Sequence, residues 1–162
     1  MLLLDTGLRV SEAARLKIGD VNTATGEIFV DAHGTGRKTT SRHVYLGKNT
    51  LRYMWKYLAD RKGDMYEDAP LLLTREGRPM DRNSIRLMLV EAGKRAGVRN
   101  THPHRFRHTM AIEFLRNGGD VFNLQKILGH STLKMVEHYL SLAQSDTKNA
   151  HRKASPGDRW SL

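Results

Sequence analysis

The sequence predicts a mainly α-helical domain that carries one small antiparallel β-sheet near its N-terminal end. Apolar residues recur at helical spacing in several segments, and glycines or N-capping residues separate these segments. Two short stretches instead alternate apolar with polar residues and contain β-branched side chains, which is typical of strands. With 162 residues, the chain has the length of one domain.

Short elements come first along the chain. Met1–Asp5 predicts the end of a helix, and Ser11 predicts the N-cap of a second helix that reaches Leu16. A hairpin is expected next, with its strands at Gly26–Ala32 and His43–Leu46. The stretch between the strands, HGTGRKTTSR, is rich in glycine and cations and predicts a long basic tip.

Helices are expected to dominate the rest of the chain. Met65–Met80 holds two prolines and predicts mostly loop. The predicted helices run from Asn49 to about Arg61, over Arg82–Ala96 and His104–Arg116, from the cap Asp120 to Leu128, and over Thr132–Leu142 and Asp146–Ala154, followed by the tail SPGDRWSL.

The charge balance indicates the kind of partner. Lys and Arg together number 27, against 17 Asp and Glu, which gives a formal net charge of +10. Such an excess favours a polyanionic partner, through phosphate contacts and the release of counterions. A basic protein without such a partner is the alternative.

Composition also excludes several classes of protein. No run of about 18 apolar residues predicts a membrane span, and MLLLD is too short and lacks the basic flank of a signal peptide. Because the chain contains no cysteine, it has no disulfide framework, no thiolate nucleophile and no thiolate zinc site. A cytoplasmic protein fits these features.

The heptapeptide HPHRFRH, residues 102–108, concentrates three histidines and two arginines. On a helix with Pro103 in its first turn, His104 and Arg107 project from one face near the N-terminus, where the helix dipole favours an anion. Arginine offers a planar fork for phosphate oxygens, and histidine exchanges a proton near neutral pH. The segment therefore suits a phosphate that undergoes reaction.

Two alternatives stay open for this heptapeptide. A metal would use His102, His104 and His108, of which the last two have helical i, i+4 spacing. The two arginines and the lack of a nearby acidic ligand disfavour that hypothesis, so no metal is predicted. The other alternative is a solvated basic face.

Two further motifs are weak when each is taken alone. TGLRVSE, residues 6–12, places Arg9 beside a glycine turn and Glu12 one helical turn on, where it can orient the arginine; an ordinary surface ion pair is the alternative. LGHSTLKMVEHYL, residues 128–140, places His130 just after a helix and Tyr139 nine residues later. In isolation, core packing is the favoured explanation of Tyr139.

The three motifs in this order resemble the catalytic domain of tyrosine recombinases, the phage integrase and Xer family. That family shows an arginine in T-G-x-R-x-x-E, then H-x-x-R, then L-G-H followed nine residues on by the nucleophilic tyrosine. All three blocks match here, and the resemblance covers residue 1 to about residue 145. It implies the fold of that domain, which is mainly α with a small antiparallel sheet.

The resemblance also implies a chemistry. Family members cut one DNA strand by attack of tyrosine on a phosphodiester, which leaves a 3′-phosphotyrosine and a free 5′-hydroxyl and needs no metal, ATP or other cofactor. By resemblance, Tyr139 is the nucleophile and His104 the general base or proton relay. Arg9 and Arg107 hold the two non-bridging oxygens, and His130 donates to the same phosphate.

One part of the family pattern differs in this sequence. In the family a lysine at the hairpin tip protonates the leaving 5′-oxygen, whereas here GTGRK puts Thr35 at the directly aligned position. Lys38, three residues on, is expected to be the general acid, because lysine lends a proton more readily than arginine. The hairpin cations Arg37, Lys38 and Arg42 are also expected to bind DNA.

The resemblance further implies a domain organisation. Residues 1–145 are expected to form the catalytic domain, and 146–162 a C-terminal helix and tail. Family members normally carry an N-terminal helical, DNA-binding domain and more of the catalytic domain before TGLR. The chain is therefore expected to be either an excised fragment or a truncated gene product.

The expected function is site-specific cleavage and rejoining of double-stranded DNA. Strand exchange implies self-association on DNA as a synaptic dimer or tetramer, in the cytoplasm of a bacterial or archaeal cell or encoded by a phage or other mobile element. Two alternatives stay open: an activity like that of type IB topoisomerases, and a catalytically weak DNA-binding remnant of the same fold. No membrane partner is expected.

Overall fold

The structure is a computed structural model that describes residues 1–32, 40–143, 151–152, 155 and 157–159. Within these ranges it is mainly helical with one small antiparallel sheet, so the predicted fold class is confirmed. The described elements are α1 (Leu2–Thr6), α2 (Val10–Ala13), a 3₁₀ turn (Ile18–Asp20), β1 (Val21–Asn22), β2 (Glu27–Val30), β3 (Arg42–Tyr45), α3 (Lys48–Asp60), α4 (Arg82–Arg95), α5 (Pro103–Arg116), α6 (Val121–Leu128), α7 (Lys134–Ala143) and a second 3₁₀ turn (Gly157–Arg159).

The sheet has the strand order β1-β2-β3, and both strand pairs are antiparallel. Ile28 pairs with Val44 on the buried face, whereas the adjacent pair, Phe29 and His43, lies on the exposed face. This alternation is the period-2 pattern of a half-buried sheet, and it confirms the two predicted strands. The sequence does not predict β1, because two residues are too few to show an alternating pattern.

The short helix α2 differs from the prediction. Ser11 is not its N-cap: Arg9 is, and the Glu12 carboxylate accepts a hydrogen bond from the Arg9 backbone N–H at 2.7 Å. The helix also ends before Leu16, whose carbonyl instead accepts from the Leu71 N–H at 2.7 Å. An acidic side chain at the third helical position that bonds back to the cap residue fixes where this helix begins.

The later helices agree with the predicted spans to within two residues. Asp120 caps α6 as predicted: its carboxylate accepts from the backbone N–H of Phe122 at 2.7 Å and of Asn123 at 3.3 Å. Gly129 ends this helix in a left-handed conformation with φ 64°. The predicted helix over Asp146–Ala154 falls largely outside the described residues.

Two apolar clusters fill the interior of the described part of the chain. The first joins the sheet to α1, α2, α3 and α4, and the second lies between α5, α6 and α7. Gly7 lies where the turn after α1 meets the second cluster: a Cβ there would be 2.9 Å from Leu128 and 3.1 Å from Met110. Only glycine permits this approach, which brings the backbone of the turn close to α5. No helix in the described ranges is long and apolar enough to cross a membrane.

Candidate active site

The predicted site residues come from separate elements that meet beside the second apolar cluster. Arg9 caps α2, Arg107 lies on α5, His130 follows α6, and Tyr139 lies on α7. Arg107 lies at the centre of this group, and its contacts join the turn before α2 to the end of α6.

Arg107 is buried and fixed by backbone carbonyls. The residue is 4% exposed; Nη1 donates to the Gly7 carbonyl at 2.6 Å, and Nη2 donates to the Leu128 carbonyl at 2.6 Å. Nη2 also lies 2.9 Å from Nε2 of His130. Burial, followed by repulsion from Arg9, lowers the pKa of Arg107 to about 10. The guanidinium therefore stays protonated at neutral pH, in a fixed orientation.

His130 is held neutral beside this guanidinium. Its backbone N–H donates to the Gln125 carbonyl, and the Gln125 amide donates back to the His130 carbonyl, both at 3.1 Å. Burial, and then the positive charges of Arg107, Arg9 and Arg42, lower the pKa of His130 to about 4. Because an arginine only donates, Nε2 must accept from it, and the proton of the neutral ring is assigned to Nδ1. Nδ1 is buried and has no hydrogen-bond partner among the described residues.

Glu12 links Arg9 to the interior. Its carboxylate accepts from Nη1 of Arg9 at 3.0 Å and from the Arg9 backbone at 2.7 Å. The Arg9 side chain keeps 28% exposure, while that of Glu12 is 3% exposed. Burial by itself raises the pKa of Glu12, but the hydrogen bonds and charges of Arg42 and Arg9 outweigh it and lower the pKa to about 2. The predicted contact between Glu12 and Arg9 is therefore present, and it is more than a surface ion pair.

Arg42 does not lie where the sequence prediction puts it. It was expected to bind DNA, but the residue is 8% exposed and donates to both carboxylate oxygens of Glu12, at 3.0 and 2.9 Å. Its Nε donates to the Ile127 carbonyl at 2.6 Å. With these donors engaged inside the protein, Arg42 is not available to DNA phosphates, and that prediction is wrong. Its partner lies 30 residues away in the chain, so no local motif indicates the pair.

Tyr139 is 7% exposed and packs in the second apolar cluster. Its ring centroid lies 5.2 Å from that of His108, with the two planes tilted by 59°. The phenol also interacts electrostatically with Arg107. The ring therefore belongs to the core, while the phenol is close enough to the buried arginine to interact with its charge.

The remaining predicted residues are less constrained. His104 is exposed on the first turn of α5, and its side chain makes no hydrogen bond with the described residues. No group of three metal-ligating side chains is found in the described ranges, which include His102, His104 and His108. Thr35, Arg37 and Lys38 lie outside the described residues.

A basic rim beside the site is not part of the sequence prediction. Arg82, Asn83 and Arg86 of α4 line one concave surface together with His102 and His104 at the start of α5. The continuation of this groove adds Lys94 and Arg99. The helical periodicity of α4 predicts that these cations share a face, but only the structure shows that they line one concave surface with the start of α5.

The chain forms a mainly helical, strongly basic domain that gathers three arginines, a neutral histidine and a buried tyrosine in one place. Comparison with known proteins agrees with that class: the profile of the phage integrase family matches residues 1–146, and the chain belongs to this family.

Two relatives are tyrosine recombinases of the XerC type. The chain is 33% identical over 159 residues to tyrosine recombinase XerC of Leptospira interrogans, which covers 98% of this chain and 50% of the relative. It is 33% identical over 162 residues to XerC of Bacillus pumilus, covering 96% and 52%. The chain thus spans about half the length of the curated relatives it matches.

Solved structures share the fold. XerA recombinase is 31% identical with a TM-score of 0.76, over 95% of this chain and 56% of the other. The integrase of transposon Tn1549, solved in complex with a circular intermediate DNA, is 26% identical with a TM-score of 0.76, over 94% and 56%.

Proposed function

We propose that this chain is the catalytic part of a tyrosine recombinase that cleaves and rejoins double-stranded DNA in site-specific recombination. The observation that carries the proposal is the convergence on Arg107. One buried guanidinium joins the turn that bears Arg9 to the end of α6 and to His130, beside Tyr139. These residues are separated widely in the chain, and the family pattern assigns them to one reaction.

The charge of the site supports a phosphodiester as the substrate. Three guanidinium groups face one carboxylate, so the site keeps a surplus of two positive charges. A diester carries one negative charge, and its pentacoordinate transition state gains a second. Arg107 is held by carbonyls, so it needs no reorganisation as that charge develops, and Arg9 keeps part of its surface open to a ligand.

His130 adds a neutral donor to the same site. With Nε2 occupied by Arg107, the Nδ1 proton is a buried donor without a partner in the described structure. A buried donor left unpaired is costly, and a ligand oxygen would relieve that cost. We assign this proton to a non-bridging oxygen of the scissile phosphate.

The proposed reaction is one transesterification. The Tyr139 oxygen forms a bond to phosphorus while the bond from phosphorus to the 5′-oxygen breaks, which leaves a 3′-phosphotyrosine. A phenol has an ordinary pKa of about 10, so it needs a base, and His104 accepts its proton. The leaving oxygen takes a proton from the general acid, for which Lys38 stays the sequence-based candidate. Attack by a 5′-hydroxyl of a second strand reverses these steps.

Double-stranded DNA is the proposed partner. The rim of Arg82, Arg86 and the first turn of α5 extends the positive surface beyond the site, as contacts to several phosphates require. Self-association on DNA and a cytoplasmic location belong to the same proposal. The division into a catalytic domain at 1–145 and a tail at 146–162 is also part of this proposal. The family match over residues 1–146 supports the division, and the bacterial recombinases among the relatives support the location.

A trapped covalent intermediate tests the function. The protein is incubated in EDTA with a pool of nicked suicide duplexes of randomised sequence, and covalent protein–DNA bands are resolved on a denaturing gel. We expect a band for the parent and for Tyr53→Phe, which alters an exposed tyrosine of α3, and none for Tyr139→Phe.

A band that survives Tyr139→Phe would show that the nucleophile is wrongly assigned. If the parent gives none, Thr35→Lys is tested in the same assay, because it restores the family's lysine. A band for Thr35→Lys would support the proposed function and show that the hairpin of the parent lacks the general acid. No band, together with salt-sensitive DNA binding, would favour the DNA-binding remnant.

A further inference from the structure

Arg42 is a buried cation to which the proposed reaction assigns no contact with the phosphate or the nucleophile. It is 8% exposed at the start of β3, and its guanidinium donates to two different elements. Nη1 and Nη2 bind Glu12 on α2 at 3.0 and 2.9 Å, and Nε binds the carbonyl of Ile127 near the end of α6 at 2.6 Å. Arg42 thus joins the two elements that carry Arg9 and His130.

We propose that Arg42 is a positioning residue of the active site. Through Glu12 it fixes the orientation of Arg9, and through the Ile127 carbonyl it fixes the end of α6 from which His130 projects. This proposal rests on the proposed recombinase function and adds a residue that touches neither the phosphate nor the nucleophile.

The backbone around Gly129 supports this assignment. Gly129 lies between Ile127 and His130 in the path of the chain, and a Cβ at this glycine would be 3.0 Å from Nη1 of Arg42. The chain therefore turns into His130 directly against the Arg42 guanidinium. An arginine reaches both the carboxylate and the carbonyl because its donors form a planar fork, whereas a lysine offers a single nitrogen.

Loss of Arg42 has a consequence that pH can reveal. Glu12 faces Arg9, Arg42 and Arg107, and it lines a shallow pocket with Arg15, Lys17, Asp20 and Asp31. Without Arg42, burial still raises the pKa of Glu12, and Arg9 and Arg107 remain to oppose that rise. A protonated Glu12 no longer attracts Arg9 as a carboxylate does. The reaction should then weaken on the acid side, at pH values where the parent keeps its activity.

The test compares Arg42→Gln and Arg42→Lys with the parent and with Arg116→Gln. Arg116 is a matched control, because it also pairs with a glutamate, Glu113, at 3.0 Å, but that pair is exposed. The rate of covalent adduct formation is measured between about pH 4.5 and 8, a range that begins near the ordinary carboxyl pKa. DNA affinity is measured separately in the Tyr139→Phe background, and each rate is divided by the folded fraction.

We expect Arg42→Gln to lower the adduct rate at neutral pH by at least about tenfold, as loss of an aligning group does. It should also move the acid limb of the profile to higher pH, with DNA affinity within about twofold of the parent. Arg42→Lys should recover part of the rate, and Arg116→Gln should match the parent. A parental pH profile in Arg42→Gln, with activity reduced only in proportion to folding, would overturn the proposal.

A readout without DNA separates this proposal from the proposed function. The imidazole of His130 is titrated by NMR in the parent and in Arg42→Gln. Because the Arg42 charge contributes to the lowered pKa of His130, and Arg42 also fixes the chain beside it, the variant should titrate at higher pH. An unchanged His130 titration contradicts the positioning role even if adducts form. A His130 titration that is raised also in Arg42→Lys, which keeps the charge but not the planar fork, supports the positioning role. If the parent forms no adduct, that result counts against the recombinase function alone.

Discussion

The site has two halves that are held in different ways. The arginine half comprises Arg9, Glu12, Arg42 and Arg107, and the tyrosine half comprises Tyr139 and His108. Arg107 and Arg42 are fixed by hydrogen bonds to carbonyls or a carboxylate on elements far away in the chain. Tyr139 is held instead by ring packing against His108 and the surrounding aliphatic side chains. Groups that stabilise charge gain most from a fixed orientation, since any reorganisation during the reaction costs free energy. The proposed nucleophile, Tyr139, is held by non-directional contacts, and its hydroxyl makes no hydrogen bond with the residues that the structure describes.

The sharpest way to break the arginine half is Arg107→Lys. One ammonium cannot reach the Gly7 carbonyl, the Leu128 carbonyl and His130 together, so the charge is kept while the orientation is lost. We expect the adduct rate to fall on the order of 10²–10³-fold, as for loss of one preorganised donor.

Arg105→Lys is the control for that variant. Arg105 lies on the same helix, is exposed, and donates only to the Arg99 carbonyl at 2.8 Å among the described residues. It should keep the parental rate. Equal losses in both variants would show that α5 tolerates no lysine substitution and that the hydrogen bonds of Arg107 have no special role.

The second way to weaken the arginine half is to lower the pH. The pKa of Glu12 is lowered from 4.5 to about 2 in the folded protein, so its contribution to stability is present above about pH 4.5 and is lost as the pH falls towards 2. The difference corresponds to about 3 kcal/mol in the free energy of unfolding. In urea denaturation at pH 7, the free energy of unfolding of the parent should exceed that of Glu12→Gln. This difference should shrink as the pH falls from about 4.5 towards 2.

The control for that measurement is Glu113→Gln. Glu113 pairs with Arg116 at the surface, where about half of each side chain is exposed, so its removal should change stability by less than about 1 kcal/mol. A gap between the parent and Glu12→Gln that stays constant down to pH 2 would contradict the low pKa of Glu12 and the strength of its pairing.

The sequence predicts the tyrosine half of the site but only part of the arginine half. Tyr139, Arg107 and His130 lie in motifs of fixed spacing, and the periodicity of α5, α6 and α7 predicts the helices that present them. The pair of Arg42 and Glu12 cannot be read from the chain, because 30 residues and a strand register separate the partners. From the sequence alone, a cation beside a basic hairpin is expected to bind DNA. In the fold, Arg42 instead pairs with the buried carboxylate of Glu12.

The smallest expected effect concerns the tyrosine half and tests whether packing alone holds it. His108→Phe keeps an aromatic ring beside Tyr139, whereas His108→Asn removes it. An aromatic pair contributes about 0.5–1.5 kcal/mol beyond its buried area, so the asparagine variant should lose about 1 kcal/mol and the phenylalanine variant should stay near the parent. His104→Asn, at an exposed histidine of α5 that makes no hydrogen bond with the described residues, controls for loss of an imidazole from this helix. If both His108 variants lose the same stability, a polar contact of the imidazole holds the tyrosine, and the contrast between the two halves fails.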